Sequence, residues 1–150
     1  MKTYKSFSSE ETKKIAKDLV VKLKQEVEPK RKALVIALFG DLGAGKTTFT
    51  QGFIRGFGIK SRVNSPTFII LKRFKISGSE FKNLYHFDLY RIKSINELEA
   101  LGVQEIFDNP QNIILIEWPE RAKKILPKKI FKIVFKYGDR ENERRIVIGV

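Results

Sequence analysis

The sequence predicts an α/β protein, a single domain over residues 1–150 with a mostly parallel central sheet, flanking helices and β-hairpins. Residues 33–39 form a continuous apolar run, which is typical of a central strand buried on both faces. A glycine-rich segment follows directly. Phe49, Phe53 and Phe57 then recur at intervals of four and give the next helix one buried face. A buried strand, a tight loop and an amphipathic helix in this order predict the first unit of a parallel sheet.

An amphipathic helix is predicted ahead of that strand. Ser8 is its expected cap, because Glu11 stands three residues later as the reciprocal partner in a capping box. Apolar residues at 15, 19 and 23 mark one face of a helix that continues to about Glu26. Pro29 and the basic run at 30–32 end it.

The rest of the chain alternates short strands with short helices. Ser65 and Pro66 are predicted to start an extended stretch, which a turn at 77–79 joins to a second strand as a hairpin. No internal repeat or linker interrupts the pattern, so one domain is expected. The predicted segments are strands at 67–74, 84–88 and 113–116, a short helix at 97–101 that stops at Gly102, a helical turn from Pro119 to about 125, and a final hairpin of 130–135 with 145–148.

The composition excludes several classes of protein. There is no Cys, so neither a disulfide framework nor a thiolate metal site is possible, and one His without Cys argues against a zinc site. The polar start lacks the apolar core of a signal peptide, and the longest apolar run is far short of the ~20 residues that cross a bilayer. We therefore expect a cytoplasmic protein with no membrane partner.

The chain carries a strong positive charge. It has 30 Lys and Arg against 17 Asp and Glu, a formal net charge of +13. Such a field attracts polyanions such as RNA, DNA or an acidic protein surface, although a general enrichment in Lys produces the same value. The basic residues are scattered, and no aromatic-rich RNA motif lies among them, so charge alone selects no partner.

Residues 40–47, Gly-Asp-Leu-Gly-Ala-Gly-Lys-Thr, match the eight-residue phosphate-binding loop (P-loop) in full. The glycines let the backbone curl so that successive N–H groups point at phosphates, and the helix that begins near Lys46 adds its positive dipole end. Lys46 is predicted to reach the β- and γ-phosphates, and the Thr47 hydroxyl to ligate Mg²⁺. The loop therefore predicts nucleotide binding.

Two missing motifs and two acids bear on which nucleotide is bound and how it reacts. The sequence lacks both the Asn-Lys-x-Asp segment with which GTPases recognise guanine and their Asp-x-x-Gly switch, which favours ATP.

Asp88 and Glu117 each end a run of β-type residues. Because ligands of open α/β sheets sit beyond the carboxyl ends of the strands, both acids are expected to face the P-loop. We expect one to hold Mg²⁺, directly or through water, and the other to orient the attacking water.

Five motifs occur in order along the chain: GDLGAGKTTF at 40–49, SPTF at 65–68, HFDLYR at 86–91, the acidic positions 99 and 105 around Gly102, and IEWPE at 116–120. This series resembles the TsaE (YjeE/YdiB) family, the bacterial ATPases of threonylcarbamoyladenosine synthesis at tRNA adenosine 37. The resemblance covers about residues 8–148. It implies a single P-loop NTPase domain, a slow Mg²⁺-dependent ATPase, that binds a TsaB-TsaD complex and supports its repeated turnover. We expect contact with tRNA to be indirect.

The resemblance also implies roles for individual residues. Lys46, Asp88 and Glu117 match the catalytic positions, and Thr47 with Glu117 matches the Mg²⁺ ligands. The chain departs from the family near its end, where residues 141–145 replace a Gly-Arg pair, so Arg145 is the choice least supported by the pattern. The implied nucleotide contacts are Ser9, Thr12, Gly43, Ala44, Gly45, Lys46, Thr47, Thr48, Trp118 and Arg145.

Several alternatives stay open. A small-molecule kinase shares the P-loop and the size, but it needs an Arg-rich lid, of which the sequence gives no clear sign. A non-catalytic, ATP-gated RNA- or protein-binding module fits the positive charge. His86 is expected to be a hydrogen-bonded structural residue rather than a general base. Arg91 is either an arginine finger or the partner of Asp88 or Glu99, and Thr67 lies in a candidate switch loop.

Overall fold

The structure is a computed structural model that describes residues 1–61 and 69–149. The predicted strand start at Ser65 and Pro66 and the candidate switch residue Thr67 lie outside the described residues. The strands are β1 (Lys2–Ser6), β2 (Leu34–Phe39), β3 (Leu71–Lys75), β4 (Asn83–Asp88), β5 (Asn112–Glu117), β6 (Phe131–Tyr137) and β7 (Arg144–Gly149). The helices are α1 (Ser9–Glu26), α2 (Lys46–Gly56), α3 (Asn96–Ala100) and α4 (Val103–Asp108), and a 3-10 turn covers Pro119–Ala122.

The seven strands of the described residues join one mixed sheet in the order β1-β7-β6-β2-β5-β4-β3. The four central strands, β6, β2, β5 and β4, run parallel. The edges are antiparallel, through the pairs β6–β7, β7–β1 and β4–β3. The predicted fold class, a mostly parallel centre with β-hairpins, is therefore confirmed.

The central strand β2 is buried on both faces, as its apolar run predicts. Ile36 and Leu38 pack with α1 and α2 in one core cluster, which includes the predicted helical face at 49, 53 and 57. Val35 points to the opposite cluster, which α3, α4 and the 3-10 turn cover. The alternation follows from the two-residue period of a strand. In the described part of the chain, no helix is both long and apolar enough to span a bilayer.

The capping box of α1 forms with one variation. The Ser8 hydroxyl accepts the Glu11 backbone N–H at 3.1 Å, as predicted, whereas the Glu11 carboxylate accepts the N–H of Phe7 at 2.7 Å. Just before it, β1 was not predicted, because Lys2–Ser6 is polar and basic. This segment becomes a strand by pairing with β7, which is distant in sequence.

A second helix past Gly102 was also missed. The predicted short helix is α3, and Gly102 adopts a left-handed conformation with φ of 72° immediately after its C-terminal cap. The chain then starts α4, whose Val103 and Phe107 are buried against the sheet. Six residues are too few for periodicity to identify a helix, so only packing defines this one.

Candidate functional site

The glycine-rich segment connects β2 to α2 through backbone shapes that favour glycine. Gly45, the residue that precedes α2, has φ of 103°, in the left-handed region. At Gly40 a β-carbon would lie 2.7 Å from the carbonyl oxygen of Phe135, so this position has no room for a side chain. The loop leads directly into the first turn of α2, whose N–H groups have no helical acceptors and are free for an anion.

Lys46, the first residue of α2, is 5 % exposed. Its Nζ donates to the carbonyl oxygen of Asp41 at 2.9 Å and to that of Gly40, and it lies 3.9 Å from the centroid of the Trp118 ring. Burial lowers the pKa of Lys46, and the negative charge of Glu117 opposes this effect. The backbone carbonyls of the loop thus hold the ammonium group of Lys46 at the N-terminus of α2.

Glu117 is the last residue of β5 and is 2 % exposed. The Thr50 hydroxyl lies 2.7 Å from its Oε1, the Thr47 hydroxyl lies 3.4 Å from its Oε2, and His86 Nε2 lies 3.2 Å from Oε1. Burial alone would raise the pKa of Glu117, but the interactions with His86, the hydrogen bond from Thr50 and the charge of Lys46 outweigh it, so the pKa is lowered. The group is therefore a carboxylate at neutral pH.

Asp88 ends β4 and is the register partner of Glu117 on the adjacent parallel strand. The backbone N–H of Tyr90 donates to its Oδ1 at 3.1 Å. Burial raises the pKa of Asp88, which this hydrogen bond opposes. Two acids with opposite pKa shifts thus stand side by side at the carboxyl edge of the sheet, where the strand pattern predicts them.

A cleft of about 440 Å³ opens over these groups. It brings together most of the predicted site residues from the loop, β4 and β5. Ala44 is buried in the core below the loop. The cleft is lined by Leu42, Gly43, Gly45, Lys46, Thr47, Thr48, Ile69, Ile70, Asp88, Tyr90, Arg91, Glu97, Glu117 and Trp118.

Three predicted nucleotide contacts lie elsewhere among the described residues. Ser9 is exposed at the start of α1, and Thr12 is 3 % exposed with its hydroxyl 2.7 Å from that of Ser6. Arg145, on β7, forms an ion pair with Asp139. None of the three lines the cleft.

Thr50 and Tyr137 are site residues that sequence reasoning missed. Thr50 stands four residues after Lys46, on the same helical face, and that spacing was a usable signal. The Tyr137 hydroxyl donates to the carbonyl oxygen of Leu42 and so ties the β6–β7 hairpin to the glycine-rich loop. No sequence pattern indicates that contact, because 95 residues separate the two partners.

The oxygen donors in the cleft suit a magnesium ion. The Thr47 hydroxyl and the Glu117 carboxylate face each other, and Asp88 is adjacent. Among the described residues, no group of three or more His, Cys, Asp or Glu forms a metal cage. Mg²⁺ is typically held in this way, by a few protein oxygens together with water and substrate phosphates.

Comparisons with known proteins agree in pointing to one family. A family model described as "Threonylcarbamoyl adenosine biosynthesis protein TsaE" matches residues 6–146. A relative from Haemophilus influenzae is named "tRNA threonylcarbamoyladenosine biosynthesis protein TsaE" and is 44 % identical over 108 residues. The match covers 72 % of this chain and 66 % of that protein, just under two thirds of its length. The protein of the same name from Bacillus subtilis is 42 % identical over 141 residues, which are 93 % of this chain and 81 % of that protein.

The fold gives the same result. A crystal structure of Bacillus subtilis YdiB superposes with a TM-score of 0.72 and 34 % sequence identity, and the match covers 98 % of this chain and 83 % of that one. The family model and the relatives extend over most of the chain, well beyond the glycine-rich loop. This chain therefore belongs to the TsaE family, the threonylcarbamoyl adenosine biosynthesis proteins.

Proposed function

We propose that this chain binds ATP with Mg²⁺ and hydrolyses it slowly, and that it acts with a TsaB-TsaD complex in threonylcarbamoyladenosine modification of tRNA adenosine 37. The convergence of Lys46, Thr47 and Glu117 on one cleft supports this proposal most directly. A lysine and a helix N-terminus favour phosphate groups, and the Thr–Glu pair offers oxygen ligands for the metal. The names of the relatives support the tRNA pathway.

Each residue has a distinct part in the proposed hydrolysis. Lys46 binds the β- and γ-phosphates, in competition with the two loop carbonyls that hold it. Thr47 and Glu117 hold Mg²⁺, which when bound neutralises charge on the phosphate oxygens. Thr50 and His86 orient Glu117. Asp88 has the raised pKa of a group suited to accept a proton, and it orients the attacking water.

Two variants separate binding from turnover. Lys46→Ala should nearly abolish ATP binding, because Lys46 contacts phosphates in the ground state. Glu117→Gln should keep ATP binding within a few-fold and lose most Mg²⁺-dependent phosphate release, because a metal-side acid matters most as charge develops. Glu120→Gln is the matched control, since Glu120 is exposed and lies outside the cleft lining. Equal loss of ATP affinity in the Lys46 and Glu117 variants would refute this assignment of roles.

Nucleotide choice and reaction type are measured on the same protein. Without a guanine-reading segment, the chain should bind ATP at least about tenfold more tightly than GTP, roughly 1.4 kcal/mol. Titration calorimetry that gives equal affinities would overturn the choice of ATP. Release of inorganic phosphate without any added acceptor supports hydrolysis, whereas turnover that requires a phosphoacceptor would identify a kinase.

The partnership is tested by affinity capture. Tagged protein is incubated with purified TsaB and TsaD in the presence of ATP or ADP, and retained TsaB-TsaD is quantified. Retention that depends on the nucleotide in the wild type and is lost in Lys46→Ala supports the proposal. Absence of TsaB-TsaD under both nucleotides would contradict it.

A further inference from the structure

A second cleft lies at the other end of the sheet. Its volume is about 1130 Å³, and it is lined by Leu34 and Phe131, the first residues of the parallel strands β2 and β6. The proposed nucleotide cleft lies beyond the last residue of β2, Phe39. Because β2 has six residues at about 3.3 Å each, the two clefts are separated by roughly 20 Å. We call this second cleft the basal groove.

The floor of the basal groove is apolar. Val27, Leu34 and Phe131 are half-buried and pack against the core that α1 and α2 cover. Ile130 packs in the same way against the other core cluster. These side chains leave part of their surface in the groove, so burial of that apolar surface would stabilise a bound occupant.

The rim of the basal groove is strongly basic. Among the described residues that line it, three cations come from the segment between α1 and β2, two from the segment before β6 and one, Lys132, from β6 itself; Glu28 is the single acid. Lys32 is paired with Asp108 at 2.9 Å. Within residues 1–61 and 69–149, no ion pair or hydrogen bond engages the side chains of the other five. These unpaired cations are Lys30, Arg31, Lys128, Lys129 and Lys132.

We propose that the basal groove binds an acidic segment of a partner protein that also carries apolar side chains. Carboxylates would meet the unpaired cations, and apolar side chains would cover the floor, the arrangement of an apolar interface core within a charged rim. Single-stranded nucleic acid needs exposed aromatic faces on which bases stack. Among the described residues of the lining, Phe81 is 2 % exposed and only the half-buried Phe131 keeps exposed ring surface, which is too little for successive bases to stack on. A protein segment is therefore the better fit.

The position of the basal groove makes this inference independent of the proposed ATPase function. None of the residues that line it also lines the nucleotide cleft. An occupant of the groove would leave Lys46 and Glu117 accessible. Binding there should consequently persist in Lys46→Ala, so failure of one proposal does not entail failure of the other.

Synthetic peptides on the full chain test the proposal. Two fluorescent probes of about 14 residues combine Glu with Leu, one alternating as in a strand and one with Leu three and four apart as in a helix. Matched peptides replace every Leu with Ser at the same charge. We expect at least one Glu/Leu probe to bind about tenfold more tightly than its Glu/Ser counterpart. Equal binding of the matched pair, or no binding of either Glu/Leu probe, would overturn the proposal.

Paired variants locate the site. Lys128→Ala/Lys129→Ala should weaken binding of the Glu/Leu probe about tenfold. Lys17→Ala/Lys22→Ala removes the same charge from exposed positions of α1 outside the groove. This pair should change the affinity for the Glu/Leu probe less than about twofold. Equal weakening by both pairs would show attraction to net charge and refute a local site. A uridine 20-mer that binds more tightly than the peptides, and is weakened only by the Lys128/Lys129 pair, would assign the groove to RNA instead.

Discussion

Thr50 is predicted to hold the Glu117 carboxylate in place, and replacement by valine removes that hydrogen bond while keeping the side-chain shape. Thr50 is 0 % exposed; its hydroxyl lies 2.7 Å from Glu117 Oε1 and 3.0 Å from the Lys46 carbonyl oxygen. A hydroxyl carries one proton, and the carboxylate is both the closer and the charged acceptor. We therefore assign the donated proton to Glu117.

The expected magnitude follows from burial and from the remaining partner. A buried hydrogen bond to a charged group contributes about 1.5–3 kcal/mol. In Thr50→Val, Glu117 Oε1 keeps His86 as a neighbour at 3.2 Å, so the loss should fall at the lower end, about 1.5 kcal/mol in the free energy of unfolding. For a chain of this length that loss corresponds to about 3–6 °C in Tm. Turnover should fall about tenfold in kcat with KM nearly unchanged, because in the proposed mechanism Glu117 acts on charge that develops in the transition state.

Urea unfolding followed by circular dichroism, together with steady-state phosphate release, measures both effects. Thr50→Ser is the matched control: it keeps the hydroxyl and loses one buried methyl group, at a cost of about 1 kcal/mol. If the hydrogen bond matters, the serine variant retains its kcat although it is destabilised. A valine variant within about 0.5 kcal/mol of wild type, or valine and serine variants of equal kcat, would refute the reasoning.

Three further predictions use other parts of the structure. Gly52→Ala should destabilise the chain by about 1–3 kcal/mol in urea unfolding, despite the better helix propensity of alanine, because its β-carbon would lie 2.6 Å from the backbone of α1; a stabilised variant would contradict this packing. The hydrogen bond from Lys32 lowers the pKa of Asp108, so the stabilisation by this pair is present above the pKa of the unfolded state, about 3.9, and is lost as pH falls through the lower pKa of the folded state. The Tm difference between wild type and Asp108→Asn should accordingly shrink below about pH 4, whereas a constant difference down to about pH 3 would show that the pKa is not lowered. Trp118, with the Lys46 ammonium 3.9 Å from its ring centroid, should change its fluorescence on addition of Mg-ATP in the wild type and not in Lys46→Ala. ATP binding seen by calorimetry without a change in emission would place the nucleotide away from the indole.

Much of the candidate site follows from local sequence, because its parts are local structures. The glycine spacing before Lys46 predicts a loop with left-handed backbone, and Gly45 adopts one. The acids Asp88 and Glu117 could be predicted to share an edge, because each follows a strand pattern and parallel strands end at the same edge. The contact roles assigned to these residues remain predictions.

Long-range contacts explain why the rest escaped prediction. β1 has too few apolar residues for its sequence pattern to predict a strand. It forms a strand because its backbone pairs with β7. The pairing of Tyr137 with the Leu42 carbonyl joins segments that no periodicity relates. Ser9, Thr12 and Arg145 were assigned by resemblance alone; they lie outside the lining of the cleft, and their contact with the nucleotide stays a prediction.

By itself the sequence determined the α/β class, the strand–loop–helix unit and the glycine-rich loop with its P-loop pattern. These depend on side-chain period and glycine conformation within a few residues. Only the tertiary structure decided that Thr50 and His86, which are 67 and 31 residues from Glu117 in the sequence, both contact its carboxylate. It also decided that two basic segments meet over an apolar floor to form the basal groove. Strand order decides which distant residues become neighbours, and it is set by the packing of the whole sheet, which no local pattern encodes.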